Sequence, residues 1–232
     1  MLTIYRLSVG QLQSNCYLAV DQKSNDCMIV DPGDDAEYII KKITEIGAKP
    51  RLIVATHAHF DHVMAVFELK LTYKIPFYMH HRDEFLLKNA RSSSLYFTGV
   101  DPLIDPPKID MYFKNGSVIK QGENTFRIVW TPGHTPGSCT LYCQKEKLAF
   151  VGDLLFADST KGRYDFSYSD EKLLDKSIRI IMKFPGDTTL YSGHGNKFLL
   201  KAVKKYFKTN FRIPRVSVLG DDPLRRSCSE AR

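Results

Sequence analysis

The sequence lacks several features that would assign it to a common class of protein. No apolar run approaches the roughly 18–20 residues of a membrane-spanning helix, so we expect no membrane partner. The first residues lack a basic segment followed by an apolar one, so we expect no signal peptide. No Gly-x-Ser-x-Gly pattern occurs, which argues against a serine nucleophile. No repeat or linker composition divides the 232 residues, which are enough to bury the core of one domain.

Cysteine is also scarce. The five cysteines are scattered and lack the spacing of zinc knuckles. Cys139 and Cys143 are four positions apart in a predicted strand, so they share a face but lie too far apart for a disulfide. We therefore expect a reducing compartment, the cytoplasm, with an organelle as the alternative. The net charge of +7 is compatible with solubility alone or with an anionic ligand, and it locates no site.

The order of apolar patterns indicates strands, then helices, then strands and helices again. Helices are predicted through Ile39 and Ile43, over 62–72, through Phe85 and over 169–183, whereas residues 89–108 are predicted to form a long surface loop. Each half supplies one sheet with helices on one side. We therefore predict an α/β protein, a four-layer αββα sandwich of two mixed β-sheets flanked by helices. Residues 1–210 would form this domain and residues 211–232 a flexible C-terminal tail.

The densest group of potential metal ligands is His-Ala-His-Phe-Asp-His at residues 57–62, one residue after the apolar run 52–55. His134, Asp153 and His194 also follow apolar runs, in turns or beside glycine. Five histidines and two aspartates exceed the three protein ligands of a catalytic zinc. They suit two metal ions roughly 3.5–4 Å apart. We expect two divalent ions, with Zn²⁺ favoured and iron or manganese as alternatives.

This order of residues resembles the signature of the metallo-β-lactamase superfamily, and the resemblance extends to about residue 208. It implies two ligand sets that share a bridging carboxylate. The first metal would be held by His57, His59 and His134, and the second by Asp61, His62 and His194, with Asp153 bridging. Asp61 and Asp153 would be the catalytic carboxylates. Asp31 is predicted to be a hydrogen-bond acceptor near the site, and His80 and His81 to serve in capping or hydrogen bonding.

A finer resemblance is to the glyoxalase II-like branch, carried by residues 15–17, 31–33, 131–137 and 152–156. A typical glyoxalase II hydrolyses S-D-lactoylglutathione. Residues 162–166 match a Gly-Arg-x-Asp-Phe segment of that branch, which implies that Arg163 binds substrate; a salt bridge at the sheet edge is its alternative. The tyrosine that aids glutathione binding falls near Asp165, and the long C-terminal helical domain is not seen. These departures indicate a compact, single-domain member.

The predicted reaction is attack of a metal-bound hydroxide on the carbonyl of a small-molecule thioester of the glutathione type. A thiolate leaves without a dedicated acid because the pKa of a thiol is about 8.5. One alternative is a persulfide dioxygenase with a single iron, which shares the Gly-Arg-x-Asp-Phe pattern. RNA-processing nucleases carry an extra domain or insert that is not found here, so no nucleic-acid partner is expected. Another metallo-hydrolase activity and the oligomeric state stay open, whereas lactamases with cysteine at the position of Asp153 are disfavoured.

Overall fold

The computed structural model of this chain describes residues 1–102 and 107–209, and within them two six-stranded sheets are found. The strands of the first sheet are β1 (Leu2–Val9), β2 (Ser14–Asp21), β3 (Asp26–Val30), β4 (Lys49–Val54), β5 (Phe77–His80) and β6 (Met111–Phe113). Those of the second sheet are β7 (Val118–Gln121), β8 (Asn124–Trp130), β9 (Cys139–Cys143), β10 (Leu148–Gly152), β11 (Thr189–Ser192) and β12 (Phe198–Leu199). The helices are α1 (Ala36–Glu45), α2 (Val66–Tyr73), α3 (Glu84–Lys88), α4 (Ala90–Thr98), α5 (Glu171–Ile181) and α6 (Leu200–Thr209).

Both sheets are mixed, and their parallel strands determine where the loops gather. In the first sheet the strands lie in sequence order, with β1 to β3 antiparallel and β3 to β6 parallel. In the second sheet β10 and β11 are parallel, and the other described neighbours are antiparallel. Parallel strands end at the same edge of a sheet. The segments that follow β10 and β11, which carry Asp153 and His194, therefore start side by side.

Alternating side chains along the strands divide the core into layers. Cys27 and Ile29 of β3 pack with the buried faces of α1 and α2, whereas Met28 and Val30 pack with residues of the second sheet. A third cluster joins the outer face of β10 and β11 to α5 and α6. These clusters form the successive interfaces of a helix–sheet–sheet–helix arrangement. The predicted four-layer αββα sandwich of two mixed sheets is confirmed.

Helix α5 shows how the sequence specifies an outer layer. The Asp170 side chain accepts a hydrogen bond from the Leu173 amide at 2.9 Å and so caps the first turn. Leu174, Ile178 and Ile181 recur at helical spacing and are buried against the second sheet.

Within residues 1–102 and 107–209, no helix has the length and apolar character needed to cross a bilayer.

The predicted surface loop at 89–108 is wrong, because α4 occupies part of it. Its three consecutive serines have modest helix propensity, so the sequence shows no clear helical pattern of apolar residues there. Ala90, Ser94 and Phe97 nevertheless lie at helical spacing on the inward face, and Phe97 stacks on Phe60 with ring centroids 5.8 Å apart. Tertiary packing therefore overrides local propensity. Gly99 ends the helix at a φ of 74°, a conformation that glycine adopts without strain.

The predicted helix over 62–72 is also wrong at its start. Residues Phe60–His62 form a single 3₁₀ turn, and α2 begins only at Val66. The amides of Met64 and Ala65 donate to the carbonyls of Gly33 and Pro32, which ties this segment to the turn after β3. Val63, between the 3₁₀ turn and α2, has a φ of −137°, outside helical geometry. The cysteine prediction holds for Cys139 and Cys143, which are buried in β9 and unbridged. The predicted tail at 211–232 lies outside the described residues.

Candidate metal centre

The seven predicted ligands converge where the two sheets meet. Residues 57–62 follow β4 of the first sheet, whereas His134, Asp153 and His194 follow β8, β10 and β11 of the second. Backbone hydrogen bonds join the two sides: the Cys139 amide donates to the Thr56 carbonyl at 2.8 Å. Both halves of the chain are therefore required to build the centre.

The first predicted ligand set comes together as expected. One nitrogen of each of His57, His59 and His134 lies within 4.8 Å of the others. His59 Nδ1 and His134 Nε2 face one another at 2.9 Å. The outer nitrogen of His134, Nδ1, lies 2.7 Å from the Arg163 carbonyl, and His57 Nδ1 lies 3.1 Å from Thr56 Oγ1. Donation from these outer nitrogens leaves the lone pairs on Nε2 directed into the centre.

The second predicted set, Asp61, His62 and His194, is also brought together. Asp61 Oδ2 lies 3.2 Å from His194 Nε2 and 3.4 Å from His62 Nε2. Asp153 lies between the two sets. Its Oδ1 is 3.7 Å from His62 Nε2, and its Oδ2 is 3.7 Å from both His134 Nε2 and His194 Nε2. This is the position that a bridging carboxylate would occupy.

A glycine beside Asp153 keeps the centre compact. A side chain at Gly193 would overlap Asp153 Oδ1 and approach His62 Cε1 to 2.7 Å. The Gly193 amide donates to the Gly152 carbonyl at 2.9 Å, and its carbonyl accepts from the Asn15 amide at 2.7 Å. The backbone after β11 is thereby held against both sheets, with His194 at the second set.

The donors fit divalent cations. His57 Nε2, both ring nitrogens of His62 and Asp153 Oδ1 are buried and have no hydrogen-bond partner in the described part of the chain. Burial, reinforced by neighbouring histidines, lowers the pKa of His57 and His59 well below the ordinary value, which keeps them in the neutral form that binds metal. Burial also opposes a charge on His62, but Asp61 and Asp153 raise its pKa well above the ordinary value. A proton and a metal cation therefore compete for His62 Nε2, the nitrogen that faces Asp61 and Asp153.

Asp31 behaves as a hydrogen-bond acceptor. Its Oδ1 accepts from the Thr56 amide at 2.6 Å and its Oδ2 from Thr56 Oγ1 at 2.7 Å. His62 Nδ1 lies 3.5 Å from the same Oδ2. His80 caps the 3₁₀ turn His81–Asp83, with Nδ1 accepting from the Arg82 amide at 3.2 Å. Both arrangements match the roles predicted for these residues.

A cleft of about 600 Å³ opens onto the centre. Its apolar lining includes Leu12, Leu86, Phe97, Phe156, Phe166 and Tyr168. Arg163 lines it too, but its Nε and Nη2 donate to the two carboxylate oxygens of Asp165 at 2.9 and 2.7 Å. The structure thus places Arg163 in the cleft and also shows the salt bridge that was its alternative role.

The comparison with protein families gives a match over residues 9–194 to the family described as the metallo-β-lactamase superfamily. The matched span includes every predicted metal ligand and most of the chain. The chain belongs to the metallo-β-lactamase superfamily. It is thereby a member of a group of metallo-hydrolases whose histidine and aspartate clusters bind divalent metals.

Relatives of this superfamily member include proteins with assigned activities. Hydroxyacylglutathione hydrolase GloC of Haemophilus influenzae is 33% identical over 198 residues, 84% of this chain and 92% of GloC. The crystal structure of BLEG-1, a B3 metallo-β-lactamase, matches with a TM-score of 0.79 and 35% identity over 86% of this chain and 95% of that one. TTHA1623 in a di-iron-bound form matches with a TM-score of 0.78 and 31% identity over 87% and 96%. The predicted family is confirmed.

Sequence reasoning missed Asp83, a carboxylate that ties the two histidine loops of this superfamily member together. It is fully buried and accepts from the Ala58 amide at 3.2 Å, from Thr135 Oγ1 at 2.7 Å and from the Gly137 amide at 2.5 Å. Burial raises its pKa to about 6 although these hydrogen bonds lower it. No local pattern marks this residue, since its partners are far away in sequence.

Two further contacts in the loop after Asp153 were also missed. Tyr168 places its hydroxyl 2.8 Å from His59 Nε2, the nitrogen that points away from the centre. Lys161, which is 3% exposed, donates to Glu171 at 2.9 Å and to Asp175 at 3.0 Å on α5. These contacts fix a loop whose composition alone predicts only irregular structure.

Proposed function

We propose that this chain is a thioester hydrolase that uses two divalent metal ions, with zinc as the favoured metal. The observation that supports the proposal is the position of Asp153 between two groups of side chains that could each hold a metal ion, beside a cleft. His57, His59 and His134 would hold one ion, and Asp61, His62 and His194 the other. Divalent ions at such a site activate water near neutral pH and polarise a carbonyl.

The chain's own groups favour a thiolate leaving group. An amine leaving group needs a proton, so the relevant question is which acid in the cleft could donate one. Apart from the ligand carboxylates, the described cleft-lining acid is Asp158, which is exposed and accepts from the Thr160 amide and hydroxyl. A thiolate requires no such acid, and the likeness to GloC supports the same bond class.

Hydrolysis of a β-lactam is the second candidate, favoured by the likeness to BLEG-1. It shares the attack on a carbonyl but releases an amine. Metal-loaded protein should therefore be assayed against acyl-glutathione thioesters and a β-lactam in parallel. The proposal predicts faster thioester cleavage; a higher kcat/KM on the lactam would replace it with the second candidate.

Replacing the bridging carboxylate provides the matched test of the metal centre. Asp153→Ala should lower kcat/KM by roughly 10³-fold, because Lewis-acid stabilisation contributes several kcal/mol. Asp187→Ala, which removes an exposed carboxylate paired with Lys147, is the control and should keep the wild-type rate. Elemental analysis should give two metal ions per chain. One iron per chain with oxygen uptake on glutathione persulfide would instead establish the dioxygenase.

A further inference from the structure

The cleft carries information about the substrate that the metal ligands do not. Resting on the proposed thioester hydrolysis, we propose that the enzyme prefers thioesters with a bulky apolar acyl group and does not recognise the thiol through its negative charge. The proposal depends on two features of the cleft. One is its aromatic walls, and the other is the pairing of its arginine, Arg163, with the carboxylate of Asp165.

Aromatic rings flank both ligand sets. The ring of Phe166 lies 5.2 Å from that of His59 and 6.1 Å from that of His134, measured between centroids. On the other side, Phe156 lies 6.3 Å from His194. An acyl group whose carbonyl is held between the two sets is therefore within reach of a phenyl ring on either side. Such rings favour apolar groups over a small hydroxylated one.

Leu12 extends this apolar wall. Its side chain lines the cleft and is 44% exposed, so it offers accessible surface that a ligand can cover. Burying apolar surface of this kind is favourable in proportion to the area removed from water. Each methylene of an acyl chain placed here would therefore add to transition-state binding.

The cleft offers little free positive charge of its own to an anionic thiol. Among the described residues that line it, Arg163 is the single lysine or arginine. Both oxygens of Asp165 accept from its guanidinium, which lies 4.3 Å from the Phe166 ring centroid, and the Arg163 side chain is 18% exposed. Asp158 adds a carboxylate to the rim. The carboxylates of a thiol such as glutathione therefore meet a side chain whose charge is already matched.

The test compares acetyl, butanoyl, hexanoyl, benzoyl and lactoyl thioesters of one neutral thiol, thiophenol, with metal-loaded wild-type protein. kcat/KM should rise by up to about four-fold per methylene and exceed the lactoyl value for hexanoyl and benzoyl. Phe156→Ala should remove most of this gain, whereas Leu71→Ala, an exposed leucine on α2, should keep it. A flat series, or a preference for lactoyl, would overturn the inference.

Charge is tested at Asp165 and by a binding measurement. Asp165→Asn frees the Arg163 guanidinium and should increase kcat/KM for hexanoyl-glutathione relative to hexanoyl-thiophenol. Arg163→Met should leave that ratio unchanged; a fall would show that Arg163 already binds the thiol, against the inference. Calorimetry with non-hydrolysable alkyl thioethers should give a heat-capacity change that becomes more negative with chain length. Failure to cleave any thioester would refute the proposed function itself, whereas cleavage without apolar preference refutes this inference alone.

Discussion

Replacing Thr56 with valine tests whether its hydroxyl orients His57, a candidate ligand of the first metal ion. Thr56 Oγ1 donates to Asp31 at 2.7 Å and lies 3.1 Å from His57 Nδ1. Valine keeps the shape of threonine but leaves both buried groups without that partner. A hydrogen bond to a charged group contributes about 1.5–3 kcal/mol and a neutral one about 0.5–1.5 kcal/mol. Because Asp31 keeps its bond from the Thr56 amide, we expect the free energy of unfolding to fall by about 2–4 kcal/mol.

The same substitution should weaken metal binding, because the ring of His57 loses the contact that orients it. Loss of such a supporting contact costs about 10–100-fold in metal affinity. Urea unfolding of metal-free protein measures the stability, and competition with a chelator measures the affinity. Thr140→Val removes another buried hydroxyl, 3.2 Å from that of Thr131, and serves as the control with unchanged affinity. Wild-type affinity in Thr56→Val would refute the reasoning, as would an equal loss in both variants.

Three other contacts give separate predictions. Tyr168→Phe should lower the affinity of the first metal set by roughly ten-fold in chelator competition, whereas Tyr38→Phe on the exposed face of α1 should not. Lys161→Met should cost about 1–3 kcal/mol of unfolding free energy near neutral pH. Burial lowers the pKa of Lys161, but its two carboxylate partners raise it above the ordinary value. The difference in unfolding free energy between wild type and Lys161→Met should therefore vanish only above that raised pKa, where the lysine has lost its charge. Burial raises the pKa of Asp83 to about 6. As the pH rises from about 4 to about 6, metal-free wild type should therefore lose about 2–3 kcal/mol of unfolding free energy relative to Asp83→Asn. Parallel curves of stability against pH would contradict this.

The fold was predictable because its strands alternate and its helices carry one apolar face. Met28 and Val30 point to the sheet interface while Cys27 and Ile29 point to the helices, as the period of two requires. The convergence of the candidate ligands was predictable for a related reason, since each candidate segment follows an apolar strand. Helix α4 was not predictable in the same way, because its three serines obscure the helical spacing of its inward-facing residues. That face is recognisable only from its packing against Phe60.

The supporting contacts could not be predicted because they join distant positions. Asp83 meets Ala58 across 25 positions and Thr135 across 52, and Tyr168 meets His59 across 109. No local pattern encodes such pairs. For Arg163 the sequence left two roles open, and only the structure shows that Asp165 shares its charge within the cleft.

The division of ligands between the two halves has a consequence for the order of events during synthesis. The amino-terminal half supplies His57, His59, Asp61 and His62, but each ligand set also needs a residue from the other half. A ribosome-bound fragment that ends before His134 holds neither set complete, and the second set waits for His194. Binding of two ions would therefore be reserved for a chain that has been translated to His194, at the end of the matched family region. Nascent chains would not sequester metal before they can fold around it.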